Sequence, residues 1–230
     1  MQPRITPLGD AALLVSFEPL IDVAINARVH ALASAIAASR LPGIRDVVPG
    51  YAACAVHFNP LRTNRTSLRA AIDAAIDRSA APAADSDRGS TLDVPVCYGG
   101  PFGPDLPFVS RRAGCSVEEV VQRHAGQEYR VFMIGFLPGF PYLGPLDERL
   151  ALPRRDTPRT RVPAGSVGIA GRQTGIYPVD APGGWHIIGR TPMRLFDLSA
   201  VPPARLAPGD LVRFIPIDES TYRRAGARAD

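Results

Sequence analysis

The sequence predicts an α+β chain in two parts: a small α+β unit, then a β-barrel or sandwich. Residues before about 80 alternate strand pairs with helical apolar stripes, which suits an α+β sandwich of the split-βαβ, ferredoxin-like type. Residues after about 90 carry many short strand patterns broken by Gly and Pro, the habit of a barrel or sandwich. Between them, Ser79 to Ser90 is small, polar and proline-bearing, as an exposed connection is. These observations divide the chain into domains 1–80 and 91–230 with a linker at 81–90.

Ile5–Leu8 and Leu13–Phe17 flank Gly9-Asp10 and predict a hairpin. A helix is expected from about Asp22, because Ile25, Val29, Leu32 and Ile36 recur at three and four residues and form one stripe. Leu41-Pro-Gly ends it. Asp46-Val-Val and Ala53–Phe58 flank Pro49-Gly50 as a second hairpin, and Leu68, Ile72 and Ile76 share one face of a second helix. His30 and His57 are lone histidines and read as surface or half-buried residues.

The second part opens with a strand at Leu92–Tyr98. A helix from near Asp105 ends at Gly114. A second has Ser116 as N-cap with Glu119 three residues on, a capping box, and ends at Gly126. Glu118 and Glu119 in its first turn suit the helix dipole. After Glu128–Ile134 come strands at Val167–Ala170, Ile176–Val179, Trp185–Ile188, Leu195–Asp197 and Leu211–Ile217, the last preceded by a Pro208-Gly-Asp turn.

Composition excludes several chemistries. With 46% hydrophobic and 21% charged residues, the 230-residue chain has enough apolar content for a core. No apolar run approaches the roughly 18 residues of a membrane span, and no secretory signal is evident, so a cytoplasmic protein without a membrane role is expected. The +4 net charge is dispersed, which gives no case for nucleic acid. All 26 basic residues are arginines. Without lysine the chain forms no Schiff base, supplies no P-loop lysine and carries no covalent biotin. Cys54, Cys97 and Cys115 form no C-x-x-C pair, so no metal site is expected. They read as structural thiols. Cys115, just before a helix N-cap, is a conceivable nucleophile only in an electropositive, partly open setting.

The chemistry concentrates between Gly135 and Pro192, where Gly and Pro alternate with arginines and aromatics. Guanidinium forks bind carboxylate or phosphate bidentately, so Arg154, Arg155, Arg159, Arg172 and Arg190 are candidate anion ligands, with Gln173 and Tyr177 as neutral hydrogen-bonding neighbours. The competing reading is that Asp156 simply pairs with a neighbouring arginine. Asp156 and His124 are weak general acid–base candidates, and no catalytic residue is assigned. Pro138, Gly139, Pro141, Tyr142, Gly165, Gly168, Gly171, Gly183, Gly184 and Trp185 are expected to shape the loops. Val162–Gly171 is neither G-x-S-x-G nor G-x-G-x-x-G. It reads as a glycine-lined turn, with an open possibility that its N–H groups cradle an oxyanion.

In order, Cys97–Asp105, Phe136–Gly144, Pro153–Arg159, Val162–Gly171, Gln173–Pro178 and Pro182–Pro192 resemble the KipI / allophanate hydrolase subunit 1 family nearly end to end. The resemblance implies an N-terminal α+β domain and a cyclophilin-like β-barrel. It implies a subunit of an ATP-dependent 5-oxoprolinase of the PxpB type, opening 5-oxoproline to glutamate, with Mg accompanying the ATP. The implied partners are a sister subunit of the allophanate hydrolase subunit 2 (PxpC) type and a lactamase-like PxpA-type subunit. Other members imply two alternatives: inhibition of a sensor histidine kinase, and a carboxyltransferase role in urea or amide carboxylation.

Overall fold

The protein was described by a computed structural model covering residues 3–79 and 89–226. The chain divides into two compact units, Met1–Asp87 and Arg88–Asp230. Most of the expected linker, residues 81–88, lies outside the described residues.

In the first unit, β1 (Arg4–Pro7) and β2 (Ala12–Ser16) form the first hairpin, and β3 (Ile44–Pro49) and β4 (Ala53–Phe58) the second. Helix α1 (Val23–Ala38) follows β2, and α2 (Arg65–Ser79) follows β4. Asp22 caps α1 by accepting from the Ile25 N–H at 2.9 Å. Val29, Leu32 and Ile36 of α1 and Leu68 and Ile72 of α2 bury against Val15, Cys54, Val56 and Phe58. The expected ferredoxin-like order is not observed. The elements run ββαββα in a sheet ordered β1-β2-β4-β3, antiparallel at every pairing. Each hairpin closes before its helix, so the chain lacks the alternating βαββαβ sequence.

The second unit is a closed seven-stranded barrel. Its strands are β5 (Thr91–Tyr98), β6 (Glu128–Ile134), β7 (Pro141–Gly144), β9 (Ser166–Ala170), β10 (Gln173–Ile176), β12 (His186–Arg190) and β13 (Leu211–Pro216). They run β10-β7-β6-β13-β5-β12-β9 around the wall. The β5–β13 pair is parallel and the others are antiparallel. A separate ribbon pairs β8 (Arg159–Val162) with β11 (Ala181–Gly183). Helices α3 (Leu106–Ala113) and α4 (Val117–Ala125) follow β5, and α5 (Glu219–Gly226) follows β13. Gly114 ends α3 in the left-handed region, and the Ser116 hydroxyl caps α4 by accepting from Glu119 N–H.

Strands β9 and β12 are buried on both faces. Val167, Ile169 and Ile188 point into the main core with Val94, Tyr129, Leu143 and Phe214, whereas Ala170 and Ile187 join a second cluster with Phe140, Tyr177 and Trp185. This double burial explains the unbroken apolar runs in these strands. Two strand expectations shift. β10 runs Gln173–Ile176 rather than the expected Ile176–Val179, and it stops before Pro178, which cannot extend the ladder. Leu195–Asp197 makes only the isolated bridge Phe196–Ala204. No helix among the described residues is long and apolar enough to cross a membrane.

Candidate functional site

The site grows from Asp105, the residue before α3. Its carboxylate is 7% exposed and accepts four hydrogen bonds. The Arg159 guanidinium donates through both terminal nitrogens at 2.8 Å, in a bidentate pair. Arg155 Nη1 adds a third bond at 3.0 Å, and the Ile187 N–H a fourth at 2.7 Å. The Asp105 N–H returns a bond to the Ile187 carbonyl at 2.9 Å. Burial alone would raise this carboxyl's pKa. The Arg159 and Ile187 bonds and both guanidinium charges outweigh it and hold the pKa below the ordinary value. Asp105 thus locks α3, β12, the start of β8 and the Pro153–Pro158 loop together.

Beside this hub lie two adjoining cavities of about 350 and 330 Å³, which share Phe108, Arg155, Asp156 and His186. Arg112 and Arg154 line the first. Phe108 stacks on His186 at 5.1 Å and 17°. His186 Nε2 lies 3.0 Å from the Pro153 carbonyl, and that nitrogen therefore carries the proton and donates. Its Nδ1 is buried and makes no hydrogen bond. Among the described residues, Arg112, Arg154 and Asp156 make no ion pair, so two cations and one carboxylate face this space uncommitted. Arg154 also lies close enough to Tyr142 and Tyr177 to favour their ionised forms, although burial wins and raises both pKa values.

The expected site residues do not all converge. Arg154, Arg155 and Arg159 are together, but Arg155 and Arg159 are committed to Asp105. Asp156 is not their partner; the arginines reach back some fifty residues to a better-buried carboxylate. Arg172 pairs instead with Glu148 at 3.1 Å, both exposed, and Gln173 is half-buried on β10. Arg190 lines a different cavity with Gly165 and Thr191. Tyr177 is a core residue, 1% exposed. Phe140, Tyr142, Tyr177 and Trp185 pack edge to face at 4.8 to 5.8 Å. Phe136, at φ 63°, leaves its ring 60% exposed.

The Val162–Gly171 turn offers no oxyanion cradle. Ala164 N–H donates to Asp180, Gly165 N–H to the Tyr177 carbonyl, Ser166 N–H to that of Pro163 and Gly171 N–H to that of Leu152. Gly168 is a strand residue facing Gly175 and Ile187. Pro138 and Gly139 turn the chain into β7, which Pro141 and Tyr142 begin. Gly183 and Gly184 hold the β11 end against Tyr177 and the Arg155 N–H.

His124 leaves the catalytic candidates. It is fully buried and desolvation lowers its pKa to about 3. Thr174 Oγ1 donates its one proton to the Gly168 carbonyl, so it accepts from His124 Nε2, and Nδ1 accepts from the Tyr98 hydroxyl. Cys54 is raised to about 12 by burial, and Cys97 is raised chiefly by burial; neither is an activated thiol. Cys115 is half-buried against the core. Among the described residues no cluster of three or more His, Cys, Asp or Glu could hold a metal.

Sequence comparison places residues 3–206 in the carboxyltransferase domain, subdomain C and D, family. The chain belongs to that family. Within it, the 5-oxoprolinase B subunit of Bacillus subtilis is 40% identical over 230 residues, covering 95% of each chain. The solved protein TTHA0988 superposes with a TM-score of 0.77 at 36% identity over 90% of this chain, which spans 40% of that longer one. The Kluyveromyces lactis urea amidolyase superposes at 0.81 with 21% identity, over 96% of this chain and 15% of its own. That likeness is one of fold, and it confirms the α+β architecture with its barrel. The unpaired Arg154 and Asp156 both lie within the span that the family matches. Asp105, Phe108, Arg112 and His186 are the site residues that the sequence reading missed; only Asp105 left a signal. Its signal was the Cys97–Asp105 segment standing in the same ordered series of motifs as the arginines.

Proposed function

We propose that this chain is the B subunit of an ATP-dependent 5-oxoprolinase, and that it forms one wall of a site completed by partner subunits. The observation that carries this reading is the 40% identity to the B. subtilis protein across nearly the whole of both chains. The chemistry of the site supports it. The lactam amide is resonance-stabilised and a poor electrophile. Transfer of the ATP γ-phosphoryl group to the lactam oxygen gives ADP and a phosphorylated amide. A first water adds to the ring carbon, the C–N bond breaks and the nitrogen takes a proton, leaving an acyl phosphate; a second water then hydrolyses it to the carboxylate and inorganic phosphate. Such steps need positioned charge more than a protein nucleophile.

Arg154 and Arg112 would hold the anionic groups, Asp156 would orient water or a lactam N–H, and Phe108 with His186 would form the flat floor. Mg²⁺ would arrive with the ATP phosphates. A sister subunit of the allophanate hydrolase subunit 2 type and a lactamase-like subunit would supply the nucleotide pocket and the remaining walls.

The test is co-purification with those partners and an assay of glutamate formed from 5-oxoproline and ATP. The complex should turn over and the isolated chain should not. Arg154→Ala should lower kcat/KM about 100-fold with no change in Tm, because Arg154 makes no ion pair. Full turnover by the partners without this chain would refute the reading.

A further inference from the structure

Two further cavities of the barrel unit, of about 570 and 350 Å³, meet at Arg194 and form one open groove. They share no lining residue with the cavities beside His186. The Pro178–Asp180 turn, the end of β12 and α5 wall the larger, and the Leu195–Arg205 loop walls the smaller. Part of the charge here is already neutralised. Arg161 holds Asp180 through Nε at 2.8 Å and Nη2 at 2.6 Å, and Arg194 meets Asp197 at 3.3 Å. Two guanidinium groups are left over. Arg190 Nε donates to the Ala164 carbonyl at 2.7 Å, and among the described residues its two terminal amino groups have no partner. Arg205 lines the smaller cavity, and among the described residues its side chain has no partner either. The groove therefore carries a surplus of positive charge. The surface around it is apolar. Val179, Met193 and Phe196 line the larger cavity. Leu198 and Val201, on the loop that walls the smaller one, are 86% and 99% exposed. Phe136 is exposed as well, and Gly139, three residues on, packs against Phe196.

A small anion would satisfy the two guanidinium groups and leave Leu198, Val201 and Phe136 in water. A polypeptide covers both kinds of surface, because protein interfaces join apolar area to a few charged contacts. The unpaired cations select a partner of negative charge. We propose that this face docks an acidic, apolar segment of the sister subunit of the allophanate hydrolase subunit 2 type. Asp or Glu side chains of that segment pair with Arg190 and Arg205, and its apolar side chains cover Val179, Phe196, Leu198 and Val201. The partner's identity rests on the subunit reading above; the surface is separate from the site beside His186, so the Arg154→Ala result does not bear on it.

Calorimetric titration of the full chain with the purified sister subunit tests it, with the Tm of each variant measured alongside. The parent chain should bind, and its affinity should fall as salt is raised. The double variant Leu198→Ser/Val201→Ser and the single variant Arg205→Glu should each weaken binding at least about tenfold with unchanged Tm, because these side chains are exposed in the fold. Arg190→Gln should weaken it too, but gives up the Ala164 bond, so the other two variants decide. Leu61→Ser, exposed in the first unit, should bind as the parent does. Undiminished binding in both deciding variants, or an equal loss in Leu61→Ser, would overturn the surface and leave the subunit reading standing. No binding by the parent would overturn both. Self-association of the parent that the same variants abolish would give the face to a second copy. Displacement of the sister subunit by inorganic phosphate at constant ionic strength would make the arginines a small-anion site. Either result would also overturn the proposal.

Discussion

Asp105 and His124 are two of the barrel unit's buried ionisable residues, and each ties distant segments together. Asp105→Asn keeps the shape but leaves Arg155 and Arg159 facing a neutral amide. Removing one partner of a buried pair costs about 3–5 kcal/mol, reduced here to about 2–3 because Arg155 and Arg159 are 32% and 25% exposed. Urea denaturation at pH 7 should show that loss; an unchanged midpoint would contradict the hub. The folded Asp105 pKa is depressed, so its contribution is present above the unfolded value of about 3.9. It is lost as pH falls through the still lower folded value, and the difference between the two proteins should narrow there. His124 acts earlier. Its folded pKa of about 3 lies below the unfolded value of about 6.5. Between those values the unfolded chain binds the extra proton, so its contribution is complete above about pH 6.5 and drains away on acidification. NMR of the His124 ring should show no inflection between pH 8 and 4; a midpoint near 6.5 would exclude the Tyr98–His124–Thr174 network. None of this was legible residue by residue. His124 read as a weak acid–base candidate because the Tyr98 and Thr174 partners come from distant strands, and Asp156 drew attention because it is adjacent to arginines that in fact reach across the fold.

At the scale of elements, periodicity and capping were reliable where a segment's own sequence decides its conformation. The α1 stripe, the Ser116 cap of α4 and the Gly114 stop of α3 stand where spacing placed them. The short strands β7, β8 and β11 were missed because each is only three or four residues long and lies among Pro and Gly. Their pairing is imposed by tertiary neighbours. The β11 end shows how tight that imposition is. A Cβ on Gly183 would collide with the Tyr177 hydroxyl and ring. Gly183→Ala must therefore push the β8–β11 ribbon off the aromatic cluster. Overpacking of this kind costs about 1–3 kcal/mol. Thermal unfolding should register it, together with a changed near-ultraviolet dichroism from Trp185. A variant indistinguishable from the parent in both would show that the ribbon yields freely.

For the whole molecule, the decisive feature is how the barrel closes. β5 is the first strand of its unit and β13 the last, yet they lie side by side in parallel from Thr91–Leu211 to Val96–Pro216. Asp210 clamps the two starts: one oxygen accepts from the Ser90 N–H and hydroxyl, the other from the Ala207 N–H. The barrel therefore cannot close until its final strand is available. Val212 and Phe214 are buried in the main core, at about 1.5–3 kcal/mol each. Without β13, β5 and β6 would also present open edges. Two truncations follow from this. A chain beginning at Arg88 keeps every core residue of the barrel cluster and should unfold cooperatively by itself, because that cluster draws on no residue of the first unit. A chain ending at Gly209 loses only its last 21 residues but removes the closing strand; it should be insoluble or non-cooperative. A folded, cooperative barrel in the second chain would mean that the parallel seam is dispensable. Failure of the first would mean that the barrel depends on residues before 88.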